Sequence, residues 1–121
     1  MDQELIESKI GTFVIPSKDI GISRKLKEKG DYEFKEKEVM KKFIRPGMTI
    51  LDIGSYIGTH AIPFSKLTGN SGIVYCFEPQ KQIYQILLAN IALNCCENIV
   101  THSCLVGTKS CLLYTSDAAD E

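Results

Sequence analysis

Apolar residues along the chain fall into short clusters separated by glycine, proline and charge, and their spacing changes from cluster to cluster. Residues 9–16, KIGTFVIP, are β-branched and aromatic and end at a proline, which predicts a short strand. Residues 17–30 contain SRKLKEKG, a short charged helix or turn closed by Gly30. Over residues 32–44, Phe34, Val39, Met40, Phe43 and Ile44 recur at roughly helical steps. The Lys and Glu residues between them read as a solvated face. Arg45-Pro46-Gly47 then stops the helix and turns the chain.

The second part alternates between two periods. Residues 48–53, MTILDI, form an apolar run suited to a strand buried on both faces. A glycine-punctuated turn follows at 54–58, then a helix over 59–67. Pro63 lies inside that helix, so an irregularity is expected there. TGNSG at 68–72 is a turn, and IVYCF at 73–77 is a second buried strand. Pro79 holds Glu78 extended and ends that strand. Residues 80–93 form an amphipathic helix with Ile83, Ile86, Leu87, Ile91 and Leu93 on its apolar side, and Asn94 is a candidate left-handed stop. A third strand spans 98–106, ended by Gly107. Strand, helix, strand, helix, strand implies an α/β fold with right-handed crossovers: half of a doubly wound parallel sheet, binding its ligand at the carboxyl ends of the strands. Residues 1–45 form a small strand-and-helix extension before it.

Composition narrows the function classes. The 121 residues suffice for one small domain. With 14 basic and 15 acidic residues the net charge is −1, without the basic excess of a nucleic-acid footprint. The start, MDQELIESK, has no basic flank before an apolar core, and no apolar run reaches the ~18 residues of a membrane span. A cytoplasmic protein is the expectation. Cys76, Cys95, Cys96, Cys104 and Cys111 form no C-x-x-C pair, and neither His60 nor His102 has ligand spacing to them, so no metal site is expected. They read as small buried hydrophobes, with an incidental reactive thiol at the adjacent pair Cys95 and Cys96 as the alternative. The tail from Cys111 to Glu121, CLLYTSDAADE, back-translates to a transposase adapter used in sequencing libraries. It is set aside from fold reasoning. Residues 46–110 are then the cofactor-binding half of a longer domain, and without Asp117, Asp120 and Glu121 the charge becomes +2.

The chemistry concentrates in Asp52-Ile53-Gly54-Ser55-Tyr56-Ile57-Gly58, which leaves a strand and enters a helix. Such a junction lets backbone approach a ligand, and the helix start offers free N–H groups to an anion. Dinucleotide folds use G-x-G-x-x-G so that backbone can touch a pyrophosphate. Here Tyr56 occupies the middle glycine position and would crowd one. S-adenosylmethionine has no pyrophosphate, and its methionine carboxylate supplies the anion. Glu78 ends the second strand, 24 positions after Gly54, near the ~20 expected of an acidic ribose ligand. A structural glycine turn and a solvated strand-end glutamate are the bland alternatives. His60 is a helix-face or core histidine or a base; Asn90 and Asn94 pin their helix or touch substrate; Glu33 and Glu36, beside Tyr32, are solvated or line the cleft.

The run GMTILDIGSYIGTHAIPFSKLTGNSGIVYCFEP, followed by NIALN and preceded by SKDIGISRKLKEKGDYEFKE, resembles the FkbM family of methyltransferases over roughly residues 11–107. The resemblance implies a class I Rossmann-like methyltransferase fold with S-adenosyl-L-methionine as cofactor. Asp52 would sit near the methionine amino group, Gly54 and Gly58 would permit the turn, Glu78 would bind ribose, and Ser103 and Cys104 would lie near adenine. The family commonly has Ala-Asn where Ser55-Tyr56 stand. The implied partner is a small-molecule or glycan acceptor methylated on oxygen, with no nucleic acid and no membrane. A nucleic-acid methyltransferase of the same fold and an inactive, association-prone half-sheet are the alternatives. No residue before Ser110 is a convincing general base, so no catalytic residue is named.

Overall fold

The computed structural model describes residues 1–18, 21–29 and 34–108. Its elements run β1 (Gln3–Ser8), β2 (Gly11–Pro16), α1 (Ile22–Lys29), α2 (Phe34–Phe43), β3 (Thr49–Ile53), α3 (Ala61–Thr68), β4 (Ile73–Phe77), α4 (Lys81–Leu93) and β5 (Ile99–His102). β3, β4 and β5 form a parallel sheet in that order. β1 and β2 form a separate antiparallel hairpin.

The molecule is layered as sheet, helices, hairpin. Val74 and Cys76 on β4 meet Ala61 of α3 and Leu87 of α4. On the far side of α4, Ile83 and Ile86 pack against Phe13 and Ile15 of β2, with Leu26 of α1 and Ile57 and Ile62 beside them. α4 is therefore covered on two sides. Full burial of each of these aliphatic or aromatic side chains contributes roughly 1.5–3 kcal/mol.

Polar side chains bind the layers together. Asn90, fully buried, accepts the Val14 N–H at 2.6 Å and donates to Val14 O at 3.0 Å and Ile57 O at 2.8 Å. One turn later Asn94 repeats the motif on Thr12, accepting its N–H at 3.1 Å and donating to its carbonyl at 2.8 Å. Four helical residues rise about 6.0 Å, and two strand residues advance about 6.6–6.8 Å. An i,i+4 asparagine pair thus matches alternate residues of a strand, and α4 pairs with β2 through its side chains. The choice left open for these asparagines resolves in favour of pinning. A third asparagine, Asn98, reaches across to α3: its amide donates to Ser65 O at 3.2 Å, Thr68 Oγ1 at 3.1 Å and Gly69 O at 2.9 Å, and Ser65 Oγ donates to its Oδ1.

Several sequence expectations are corrected. β1 was not anticipated; its QELIES carries two glutamates and lies on the outside of the hairpin, with Leu5 exposed. β3 is not buried on both faces: Asp52 points into the helical layer, but Leu51 and Ile53 are 62% and 60% exposed because nothing among the described residues covers that side. α3 begins at Ala61, so Pro63 falls in its first turn, where a missing N–H costs little, and no irregularity results. Ile62 and Phe64, on either side, still donate to Gly58 O and His60 O at 3.0 and 2.9 Å. Asn94 is not left-handed (φ −98°); Cys95 takes that role at φ 54°. Leu93 is exposed, and the third strand is four residues long, not nine. Of the cysteines among the described residues only Cys76 is buried; Cys95 and Cys104 are exposed and Cys96 is half-buried. Glu33, Tyr32 and the Cys111–Glu121 tail lie outside the described residues, as does the side chain of Glu36.

Truncating Asn90 to alanine strands a buried N–H and two carbonyls. We expect a loss of about 3 kcal/mol or more in urea denaturation. Asn94→Ala, at a half-buried position that water can reach, should cost about 1 kcal/mol. Equal losses at the two positions would contradict the pinning role of Asn90.

Candidate cofactor site

β3 and β4 run parallel and in register to their last rung, Ile53 opposite Phe77. Both chains therefore leave the sheet at the same edge. The turn after β3 folds back onto β4: Gly54 N–H and Ser55 N–H both donate to Phe77 O, at 2.9 and 3.0 Å. Ser55 Oγ donates to Asp52 O at 2.7 Å, and Gly58 N–H closes the bend on Ser55 O at 3.0 Å. Gly54 and Gly58 have φ of 75° and 97°, a region that L side chains rarely adopt. At Gly58 a Cβ would also press on Leu87 at 3.1 Å. Tyr56 holds φ 55° without being glycine, a conformation that costs about 1 kcal/mol or more.

Glu78 offsets that cost. Its Oε1 accepts the Tyr56 N–H at 2.8 Å and its Oε2 accepts the Gln80 N–H at 3.0 Å. The residue is only 5% exposed. Its own N–H is bonded to His102 O of β5 at 3.1 Å, so the strand end is fixed from both sides. Each carboxylate oxygen has a second lone-pair direction. Vicinal hydroxyls are donors held side by side, the kind that the two oxygens of a carboxylate accept from.

Around this point lies a cleft of about 350 Å³, within the range of small-molecule sites. Gly54, Tyr56, Glu78 and Cys104 line it. Asp52, Ser55 and Gly58 sit beneath, buried, where they shape the turn rather than the wall. Ser103 is exposed and outside the lining. Ile53, Phe77, Pro79, Gln80, Leu105 and Val106 complete the wall and were not singled out from the sequence. Ile53 and Phe77 carried a signal: they alternate with the inward-facing Asp52 and Cys76 and so share the opposite face at the strand ends. Leu105 and Val106 had been assigned to the third strand; they follow it instead and close the cleft. His60 is half-buried at the start of α3 and stacks on Phe64, ring centroids 5.9 Å apart.

Two buried titratable groups lie under the turn. Asp52 Oδ2 is buried without a hydrogen-bond partner among the described residues. Burial holds the Asp52 carboxyl above its usual range, with Glu78 adding to the rise and Ser55 and His60 opposing it. Burial likewise pushes the Cys76 thiol up to about 11. An unpaired buried carboxylate oxygen beneath an open cleft is a fitting acceptor for a cationic group. Among the described residues no cluster of His, Cys, Asp and Glu could hold a metal ion.

No family model matches the chain, and no curated protein matches it by sequence. Solved structures do match its fold, and they include S-adenosylmethionine-dependent methyltransferases. TYW2 from M. jannaschii, determined in complex with AdoMet, is 21% identical with a TM-score of 0.61, over 82% of this chain and 42% of that one. A SAM-dependent methyltransferase from Aquifex aeolicus is 25% identical (TM-score 0.50), over 60% of this chain and 37% of that one. An rRNA methylase from Clostridium thermocellum is 19% identical (TM-score 0.55), over 59% and 39%. The chain thus spans about two fifths of the length of these proteins. Its fold is part of the Rossmann-like methyltransferase fold, as the family resemblance implied, and its parallel half-sheet is the one the strand–helix alternation implied.

The buried Asp52 carboxyl makes stability depend on pH. With its folded-state pKa raised, the native state holds the proton more tightly, and stability falls as pH rises above the ordinary aspartate value of ~3.9. Asp52→Asn should raise the melting temperature by a few degrees at pH 7 and leave it unchanged below pH 4. Melts across that range check the sign, and destabilisation at both ends would contradict it.

Proposed function

We propose that this chain is the cofactor-binding half of an S-adenosylmethionine-dependent methyltransferase. The observation that carries the reading is the Glu78–Tyr56 hydrogen bond, which ties a buried carboxylate to the glycine bend beside one cleft. In this reading Glu78 takes the ribose 2′ and 3′ hydroxyls. The 54–58 bend receives the methionine end, and Asp52 meets the methionine ammonium directly or through water. The segment after β5, with Cys104, Leu105 and Val106, borders adenine, and Ser103 stands next to it. The cofactor supplies a methyl group already activated by sulfonium. The residues here bind it, fix its direction and shield it from water, which is most of what an in-line displacement requires.

The acceptor is assigned on different grounds. The FkbM-like motifs support oxygen methylation of a sugar or other small molecule by a cytoplasmic enzyme. The fold shared with an rRNA methylase supports RNA as a second reading. Among the described residues no helix is long and apolar enough to cross a membrane.

Titration with S-adenosylmethionine should shift the NMR amide signals of Gly54, Tyr56, Glu78 and Cys104. Glu78→Ala should weaken binding at least tenfold, since each hydrogen bond to a charged group contributes roughly 1.5–3 kcal/mol. Shifts confined to other parts of the chain, or unchanged affinity in a folded Glu78→Ala variant, would overturn the assignment.

A further inference from the structure

Asp52 is the buried residue near the end of β3 and stands two positions before Gly54. It is 8% exposed, and its Oδ2 has no hydrogen-bond partner among the described residues. The groups around it come from three segments. Cys76 is its rung partner on β4, and Glu78 ends that strand. Ser55 follows in the bend and hydrogen-bonds the Asp52 side chain. His60 stands at the start of α3. Among the described residues the charges that act on Asp52 are those of His60 and Glu78, and they oppose each other.

A carboxylate so placed is costly, because water is excluded and one oxygen finds no donor. A proton on the carboxyl removes that cost. Burial accordingly holds Asp52 above its usual range, against Ser55 and His60 and with Glu78. The same bend meets the cofactor cleft. Gly54 and Tyr56 line that cleft together with Glu78. A Cβ built on Gly54 would meet nothing within 4 Å among the described residues, so the backbone just after Asp52 borders open space. A buried oxygen lacking a donor fits an ammonium group lodged at this bend. Such a charge favours the carboxylate over the protonated acid.

We propose that cofactor binding and the protonation of Asp52 are coupled: the ligand-free chain holds a proton on the Asp52 carboxyl, and a cofactor carrying an ammonium group binds with release of that proton to solvent. This rests on the S-adenosylmethionine reading and adds a pH dependence to it. The sign follows from linkage. Affinity falls as pH is lowered, by up to tenfold per pH unit, wherever the free chain holds the proton and the complex does not. It is level above that window. An α-amino group, with its pKa near ~7.7–8.0, stays charged below pH 7 and adds no slope of its own.

The test is calorimetric titration of S-adenosylmethionine into the 121-residue chain in half-unit steps from pH 4 to pH 7, each in two buffers of different ionisation enthalpy. The difference in heat counts the protons released, and release should peak on the order of half a proton or more per cofactor bound. Methylthioadenosine keeps the adenine and ribose but has no ammonium group, and it should bind without release. Asp52→Asn should bind S-adenosylmethionine without release and with a flat pH profile. Equal heats in both buffers at every pH would overturn the coupling while leaving the cofactor reading intact. Release that persists in Asp52→Asn, or that accompanies methylthioadenosine, would assign the proton to Glu78 or His60 and overturn it too. If Asp52→Asn does not fold, the methylthioadenosine comparison still decides. No binding of S-adenosylmethionine at any pH would sink the cofactor reading itself, and the coupling with it.

Discussion

One carboxylate holds the candidate cofactor site in shape. Glu78 accepts an N–H from the bend after β3 and another from the start of α4, so a single buried side chain joins three segments. It accepts the N–H of Tyr56, which stands in the left-handed region that L side chains rarely adopt. Parallel pairing makes this possible. In an antiparallel pair adjacent strands end on opposite edges, and the bend after one could not meet the last residue of the other. Here the register runs unbroken to Ile53 and Phe77, and the two chain exits lie side by side.

The layers behind the sheet make that geometry rigid. α4 lies between the sheet and the hairpin, so its apolar residues split into two sets. Leu87 serves the sheet, while Ile83 and Ile86 serve the hairpin. Asn90 belongs to the second set but also reaches Ile57 O, inside the glycine bend. The same asparagine thus connects the N-terminal hairpin to the site. A polar network of this kind is costly when broken and specifying when complete. It gives the hairpin a structural reason to accompany a cofactor fold it does not line.

Much of this was legible in the sequence because the signals were local. Strand–helix alternation, the stops at Pro46 and Pro79, and the glycine bend with Glu78 each depend on a few neighbouring residues. What was misread depends on residues distant in sequence. MTILDI looks like a doubly buried strand because its composition allows it, yet burial is decided by what packs against it, and Leu51 and Ile53 stay mostly exposed among the described residues. β1 escaped notice because its glutamates mask a weak alternation, and only pairing with β2 makes it a strand. Pro63 looked disruptive because the helix start was placed two residues early, and a proline's effect depends on its distance from that end. The cysteines were read by type, whereas Cys95 and Cys104 sit where the chain leaves regular structure.

The uncovered face of the sheet bears on how the cleft works. Alternation sends Ile53 and Phe77 to that face at the strand ends, and both line the cleft. Glu78 and the bend belong to the strand termini themselves. The cleft therefore has a polar side made by the carboxyl edge and an apolar side made by the open face. An adenine ring needs an apolar wall, and a ribose and an amino acid need the polar edge, so one nucleoside bearing a methionine tail can use both at once. Methyl transfer also needs an acceptor to approach the sulfonium from the side the cofactor leaves open. Asp52, Ser55 and Gly58 are all buried, so in the proposed function the acceptor would not come from their side. In that reading it would come over the bend or across the face that carries Leu51 and Ile53. In the proposed function the exposed face then bears on the direction of approach, and these residues bear on the cofactor rather than on the acceptor.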